Sequence, residues 1–229
     1  MKYIYHHLGL GDHIICNGLI RSMVLQNENY LMFVKEHNLE TVKFMYKDLP
    51  NLGFIIGDDN FVGDYLSNNK IQNDDIIIAG FSSHPKAKSF DEVFYLQNNV
   101  PLINRWLNFK VDRDYESEMG LFSKYNVKEG EYVFIHDDNS RGFIVDEDLI
   151  INKNLPIIRP IVGLTNNAFD YCYLMKNSLE SHFIDSSFRL IFDSLKLRNT
   201  NIFYHINLVG GVLKDNTKSQ SFLNFKIID

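Results

Sequence analysis

The sequence predicts an α/β protein in two successive halves, each with a mostly parallel sheet, and three observations carry that expectation. Short apolar runs alternate with helical segments from the first residues onward. The same alternation restarts after a charged crossing at about residues 112–131. The corners between strand and helix are marked by Gly, Asp and Ser. Alternation of this kind implies βαβ units with right-handed crossovers.

The first such unit opens with Tyr3-Ile4-Tyr5, whose aromatic and β-branched side chains suit a pleated, half-buried surface. Ile14 through Leu19, Ile20 and Met23 continue as an apolar helical stripe. Between them, Gly9 and Gly11 are expected to supply the turn, free to take positive φ and to let another molecule approach the backbone. Asp12 then stands at a strand-to-helix corner, at the carboxyl end of a strand where open α/β sheets bind ligands. Its simpler role is that of a helix N-cap, and the two roles can coexist. The spacing Gly-x-Gly-Asp lacks the third glycine of the dinucleotide fingerprint and no Gly-Lys-Ser/Thr follows, which argues against a dinucleotide site and a P-loop.

Further strands are expected at Tyr30–Val34, at Leu52–Ile56 closed by Gly57-Asp58-Asp59, and over Asp75–Gly80, with helices at Glu36–Tyr46 and Phe61–Leu66 between them. Ser89 followed by Glu92 reads as a capping box for a helix over Ser89–Leu96. Residues Pro101–Phe109 hold the single tryptophan, Trp106, and Asp112–Glu131 form the crossing, partly helical. The expected domains are therefore residues 1–112, a connecting segment 113–130, and residues 131–229.

The second half opens on the strand Glu131–His136 and the polar loop Asp137–Gly142. Short strands are expected at Phe143–Val145 and Pro156–Arg159, and a helix over Asn167–Asn177. Ser181–Ile184 then runs into Asp185-Ser186-Ser187, after which Phe188, Ile191, Phe192 and Leu195 keep helical spacing. Ile202–Ile206 is the expected last sheet strand, followed by a polar tail over Lys214–Gln220 and a final apolar segment.

Composition excludes several classes. A hydrophobic content of 45% is that of a folding chain rather than a disordered one. A net charge of −6, without any Lys/Arg-rich run, argues against nucleic-acid binding. No apolar run approaches the ~18 residues of a membrane span and no secretory leader is visible, so a cytoplasmic protein is expected. Cys16 and Cys172 lie in apolar helical patterns, as buried free thiols would. The cluster His6, His7, Asp12, His13 lacks metal-ligand spacing, so no metal site is expected.

The late corner carries the second set of candidates. Helix N-termini present unpaired N–H groups and partial positive charge, which makes Ser186 and Ser187 a candidate phosphate site. Asp185 is either the cap of that helix or a carboxylate that must be offset by a cation. Arg141 can supply that cation as a bidentate phosphate ligand, or simply balance Asp137 and Asp138 in its loop. Arg159 ends an apolar strand, and His136 ends another, as a core histidine or as a ligand group.

Leu8-Gly9-Leu10-Gly11-Asp12 near one end, paired with Asn167-Ala168-Phe169-Asp170-Tyr171 and Ile184-Asp185-Ser186-Ser187-Phe188 near the other, resembles the GT-B glycosyltransferases. Within that fold the chain is most similar to the heptosyltransferase-like group and proteins of surface-glycan biosynthesis. The resemblance implies two Rossmann-like domains facing a cleft, an N-terminal acceptor domain and a C-terminal donor-binding domain. It implies Asp12 as catalytic base, with Gly9, Gly11 and His13 beside the acceptor. Asp185, Ser186 and Ser187, with His136, Arg141 and Arg159, would then meet the donor. The partners implied are a nucleotide sugar, used as substrate with no cofactor, and a glycan or other hydroxyl acceptor. The expected reaction is an inverting, metal-independent sugar transfer. The alternatives are a non-catalytic GT-B-like protein that binds a nucleotide, a glycan or another subunit, and a different α/β hydrolase using Asp58-Asp59 or Asp137-Asp138. The oligomeric state is not implied.

Overall fold

A computed structural model of the chain describes residues 1–81, 84–199, 201–206 and 220–228. The chain divides into two compact units, Met1–Asp112 with Asp215–Gln220, and Arg113–Lys214 with Ser221–Asp229. Of the polar tail expected over Lys214–Gln220, only Gln220 falls within the described residues.

The first unit holds strands β1 (Lys2–His6), β2 (Tyr30–Val34), β3 (Leu52–Ile56) and β4 (Ile76–Ala79) in one parallel sheet of order β3-β2-β1-β4. Helices α1 (Leu10–Met23), α2 (Leu39–Met45), α3 (Asp59–Asn68), α4 (Phe90–Gln97) and α5 (Asn104–Leu107) connect and cover it. Tyr3 and Tyr5 point to the α3 side, where Leu8, Phe33 and Val62 form a buried cluster with Ile55, Tyr65 and Leu66. On α1 every residue from His13 to Ile20 is buried, so this helix is the unit's central element rather than a surface one.

Two close approaches fix α1. The Tyr95 hydroxyl donates to the Ile15 carbonyl at 2.8 Å and accepts from the Leu19 N–H at 3.1 Å, inserting into the helix ladder. A Cβ on Gly18 would collide with the backbone of Asn104 and Arg105, so glycine is what lets α5 pack there. Arg105 and Asp91 form an ion pair at 0% exposure on both sides, and the Asp91 carboxylate also accepts the Gln220 N–H at 3.1 Å.

The expected capping box on α4 is only half formed. Ser89 is the N-cap, but its hydroxyl makes no cap bond and instead accepts from the Gln220 side-chain amide at 3.2 Å. Glu92 folds back, yet onto the Lys88 N–H at 2.6 Å rather than that of Ser89.

The second unit begins with α6 (Tyr115–Lys124), which packs against α7 (Cys172–Asn177) and the 3₁₀ turn Ala168–Tyr171 preceding it. Its sheet runs β6-β5-β7-β8-β9, all parallel, from β5 (Val133–His136), β6 (Ile157–Ile158), β7 (Glu180–Phe183), β8 (Asn201–His205) and β9 (Lys226–Ile228). Helix α8 (Ser187–Ser194) follows β7. Two expectations are corrected here. β8 is not the last strand, because Lys226–Ile228 adds alongside it. Phe143–Val145 is not a strand, because its backbone bonds are taken locally. Phe143 and Asp138 exchange two bonds across a tight turn closed by Gly142 at φ 76°, and the Val145 N–H donates to the Asp137 carboxylate at 3.3 Å. Cys16 and Cys172 are both buried and free, and among the described residues no helix is long and apolar enough to cross a membrane.

Candidate functional site

In each sheet the connection order reverses once. The chain steps β1, β2, β3 outward and then places β4 on the other side of β1. It steps from β5 to β6 and then places β7 on the other side of β5. Such switch points leave a crevice at the carboxyl ends of the strands, the usual binding place in open α/β sheets. Each corner singled out in the sequence stands at one of them.

At the β1/β4 point the N-cap of α1 is Gly9, and Asp12 is the third residue of the helix rather than its cap. The Asp12 carboxylate turns back over the Gly9 backbone. A Cβ on Gly9 would lie 2.6 Å from Asp12 Oδ2, so Gly9 is needed for this close approach and not for positive φ, its own φ being −70°. Gly11 sits in the first helical turn, also outside the positive-φ region. Burial pushes the Asp12 carboxyl up from the usual carboxylate range to about 6, against the opposing pull of His7, the Gly9 and Asp12 N–H groups and Lys35.

His7 closes this corner. Its Nε2–H donates to the Gly80 carbonyl at 2.8 Å, and its ring centroid lies 4.5 Å from that of Phe81. Gly80, at φ 91°, has Phe94 and His7 where a Cβ would be. Lys35 is not marked out by the sequence, and His7 is marked there only as a member of the histidine cluster that lacks metal-ligand spacing.

His13, expected beside the acceptor, instead turns inward. It is 0% exposed and stands edge-on to His6, with ring centroids 4.4 Å apart. His6 Nδ1–H donates to the His7 carbonyl at 2.6 Å, whereas His6 Nε2 and both nitrogens of His13 have no partner among the described residues. Burial lowers the proton affinity of both, that of His6 to about 4. The pair is therefore held neutral by burial.

At the β5/β7 point Ser186 is the N-cap of α8, its hydroxyl accepting from the Arg189 N–H at 3.5 Å. Asp185 does not cap. Its Oδ1 accepts from Arg189 Nη2 at 2.8 Å, an i,i+4 ion pair in which the arginine is fully buried and stacked over Tyr204. The cation that offsets Asp185 is thus Arg189 and not Arg141. Arg141 pairs with Asp138 at 2.6 Å on the exposed turn, and Arg159 is held by Asp137 at 3.2 Å and Glu147 at 3.0 Å. His136 stacks on Phe188 of α8 at 4.0 Å; burial lowers its proton affinity to about 4, and its Nδ1 has no partner among the described residues.

The carboxylates considered for hydrolase chemistry are otherwise committed. Asp58 caps α3 through the Phe61 N–H at 2.9 Å, Asp59 pairs with Lys35 at 3.3 Å, and Asp137 and Asp138 hold the arginines just described. Among the described residues no three His, Cys, Asp or Glu side chains gather in a metal-holding set. The fold is α/β with two parallel sheets, compatible with a Rossmann-like architecture. Comparison with protein-family models, curated proteins and solved structures finds no match for this chain.

Proposed function

We propose that the chain is a glycosyltransferase of GT-B type, with an acceptor site in the first unit and a nucleotide-sugar site in the second. The observation that carries this reading is Asp12: a carboxyl at a strand-end crevice, turned back on Gly9, with its proton affinity raised to about 6. A base does most when its pKa lies near the working pH. In the reaction, Asp12 takes the proton of an acceptor hydroxyl as that oxygen attacks the anomeric carbon. The bond from that carbon to the diphosphate oxygen breaks on the opposite face, so configuration inverts. Charge developing on the departing nucleoside diphosphate is met by the Ser186 and Ser187 amides and hydroxyls and by Arg159 or Arg141, and no metal is required. The order reversal in each sheet, which leaves one strand-end crevice by Asp12 and another by Ser186, supports a separate site in each unit.

One observation favours the second reading, a non-catalytic GT-B-like binding protein. The arginines at the late corner each already hold a carboxylate: Arg141 with Asp138, Arg159 with Asp137 and Glu147, and Arg189 with Asp185. Calorimetric titration with nucleoside diphosphates tests the donor site for both readings. Binding is expected in wild type and is expected to weaken by about tenfold or more in Ser186→Ala, Ser187→Ala, Arg159→Ala, since charge-assisted bonds to phosphate are worth roughly 1.5–3 kcal/mol each. Equal affinity in the two proteins would remove the corner from the account. Binding without acceptor-dependent release of diphosphate from any bound nucleotide sugar would favour the non-catalytic reading.

A further inference from the structure

Glu180 and His182 of β7 and His205 of β8 form a hydrogen-bonded line inside the second unit, at 0%, 0% and 2% exposure. The Glu180 carboxylate accepts from the Ile151 N–H at 2.9 Å, the Asn152 N–H at 3.0 Å and the Asn152 side-chain amide at 2.6 Å. Burial pushes this carboxyl up, but those donors and His182 outweigh it and hold it below its usual range. It is therefore ionised and can only accept. The 2.7 Å bond to His182 is consequently donation from His182 Nε2–H. A neutral imidazole protonated on Nε2 has a lone pair on Nδ1, so in the 2.8 Å bond His205 Nε2–H donates to His182 Nδ1. The open end of the line is the His205 Nδ1 lone pair, which has no hydrogen bond among the described residues.

We propose that these three side chains are one internal proton-binding site, in which a proton entering at His205 Nδ1 is stored on His182. As Nδ1 of His205 gains the proton, its Nε2 proton passes to His182 Nδ1. His182 becomes an imidazolium donating to Glu180 on one side and to His205 Nε2 on the other, and His205 ends neutral with its proton on Nδ1. No hydrogen bond is lost, and the formal charge of the three falls from one negative to none. The His6–His13 pair of the first unit has neither a carboxylate nor a bonded partner for such a step, and it stores nothing.

The surrounding charges agree with storage on His182. Burial and the neighbouring His182 lower the affinity of His205 to about 4, opposed by Asp137 after β5 and Asp146 in the next loop. Burial also lowers His182, but Glu180 beside it works the other way. On β9, the Lys226 ammonium stands 5.1 Å from the ring centroid of Phe203, which stacks on His182 at 4.7 Å, so this cation is separated from the line by an aromatic ring.

Ring-nitrogen NMR of the full-length, isotope-labelled chain, followed from about pH 8 to about pH 4, tests the proposal. At the upper end both histidines are expected with their proton on Nε2. On acidification His182 should become doubly protonated while His205 moves its proton to Nδ1, both with one shared midpoint. In Glu180→Gln that midpoint is expected to fall by about one pH unit or more, as removal of an adjacent carboxylate requires. Wild-type His182 carrying its proton on Nδ1 at the upper pH, separate midpoints, or protonation confined to His205 would each overturn the proposal, and none of these readings depends on the variant folding.

Discussion

Replacing Asp12 with asparagine is expected to cost glycosyl transfer by a factor on the order of 10²–10⁴ and at the same time to make the protein more stable above about pH 6. Asparagine keeps the shape of the side chain that turns back over Gly9 but cannot take the acceptor's proton. The stability gain follows from the sign of the Asp12 shift. Its folded-state pKa, about 6, lies above its ordinary value of 3.8. Below 3.8 the carboxyl is neutral folded or unfolded, and the substitution changes little. Between the two values the unfolded chain releases the proton that the folded chain keeps, and folding loses stability as pH rises. Above about 6 the folded chain holds a half-hidden carboxylate at a cost of about 2 kcal/mol, allowing for partial exposure. Urea unfolding of both proteins at about pH 3.5 and about pH 8 is the check. Equal stability at both pH values, or retained turnover, would separate Asp12 from the role of base.

A second large effect is expected far from any reacting atom. Asp91→Ala should destabilise the protein by about 3–5 kcal/mol, because it leaves the Arg105 guanidinium charged and buried without its carboxylate. It also removes the acceptor of the Gln220 N–H. Replacing both partners, as Asp91→Leu with Arg105→Met, is expected to recover much of that loss, since burying apolar side chains of similar volume avoids the desolvation of two ions. Denaturant midpoints of the single and double variants measure this. A loss below about 1 kcal/mol in Asp91→Ala would show that the other contacts of Arg105, among them the Gln220 carbonyl at 2.9 Å, suffice for its charge.

The strands at Tyr30–Val34 and Leu52–Ile56 were legible in the sequence to the residue, because each is an apolar run bounded by turn residues. Phe143–Val145 misled because an apolar run of that length says nothing of where its backbone bonds go, and here Asp137 and Asp138 take them. Lys226–Ile228 was too short, behind a polar tail, to announce a strand.

The candidate corners were legible as strand–polar–helix transitions, and their place at the two order reversals follows from topology that no local pattern carries. Asp185 and Arg189 could have been paired from their i,i+4 spacing, which would have removed the need for Arg141. The apolar stripe marks the helix only from Ile14, whereas it begins at Leu10 and turns His13, expected beside the acceptor, into the core. Glu180, His182 and His205 were not legible. The spacing of the first two puts them on one face of a strand, but the third reaches them only through the pairing of β7 with β8.

Asp12 can act as base only if it is poised near neutral pH, and carboxyl-carbon NMR of the labelled protein tests that most directly. The Asp12 signal is expected to titrate with a midpoint of about 6, the value its burial beside Gly9 produces. A midpoint at or below its ordinary 3.8 would contradict the account, leaving Asp12 an ordinary ionised carboxylate in the first turn of α1.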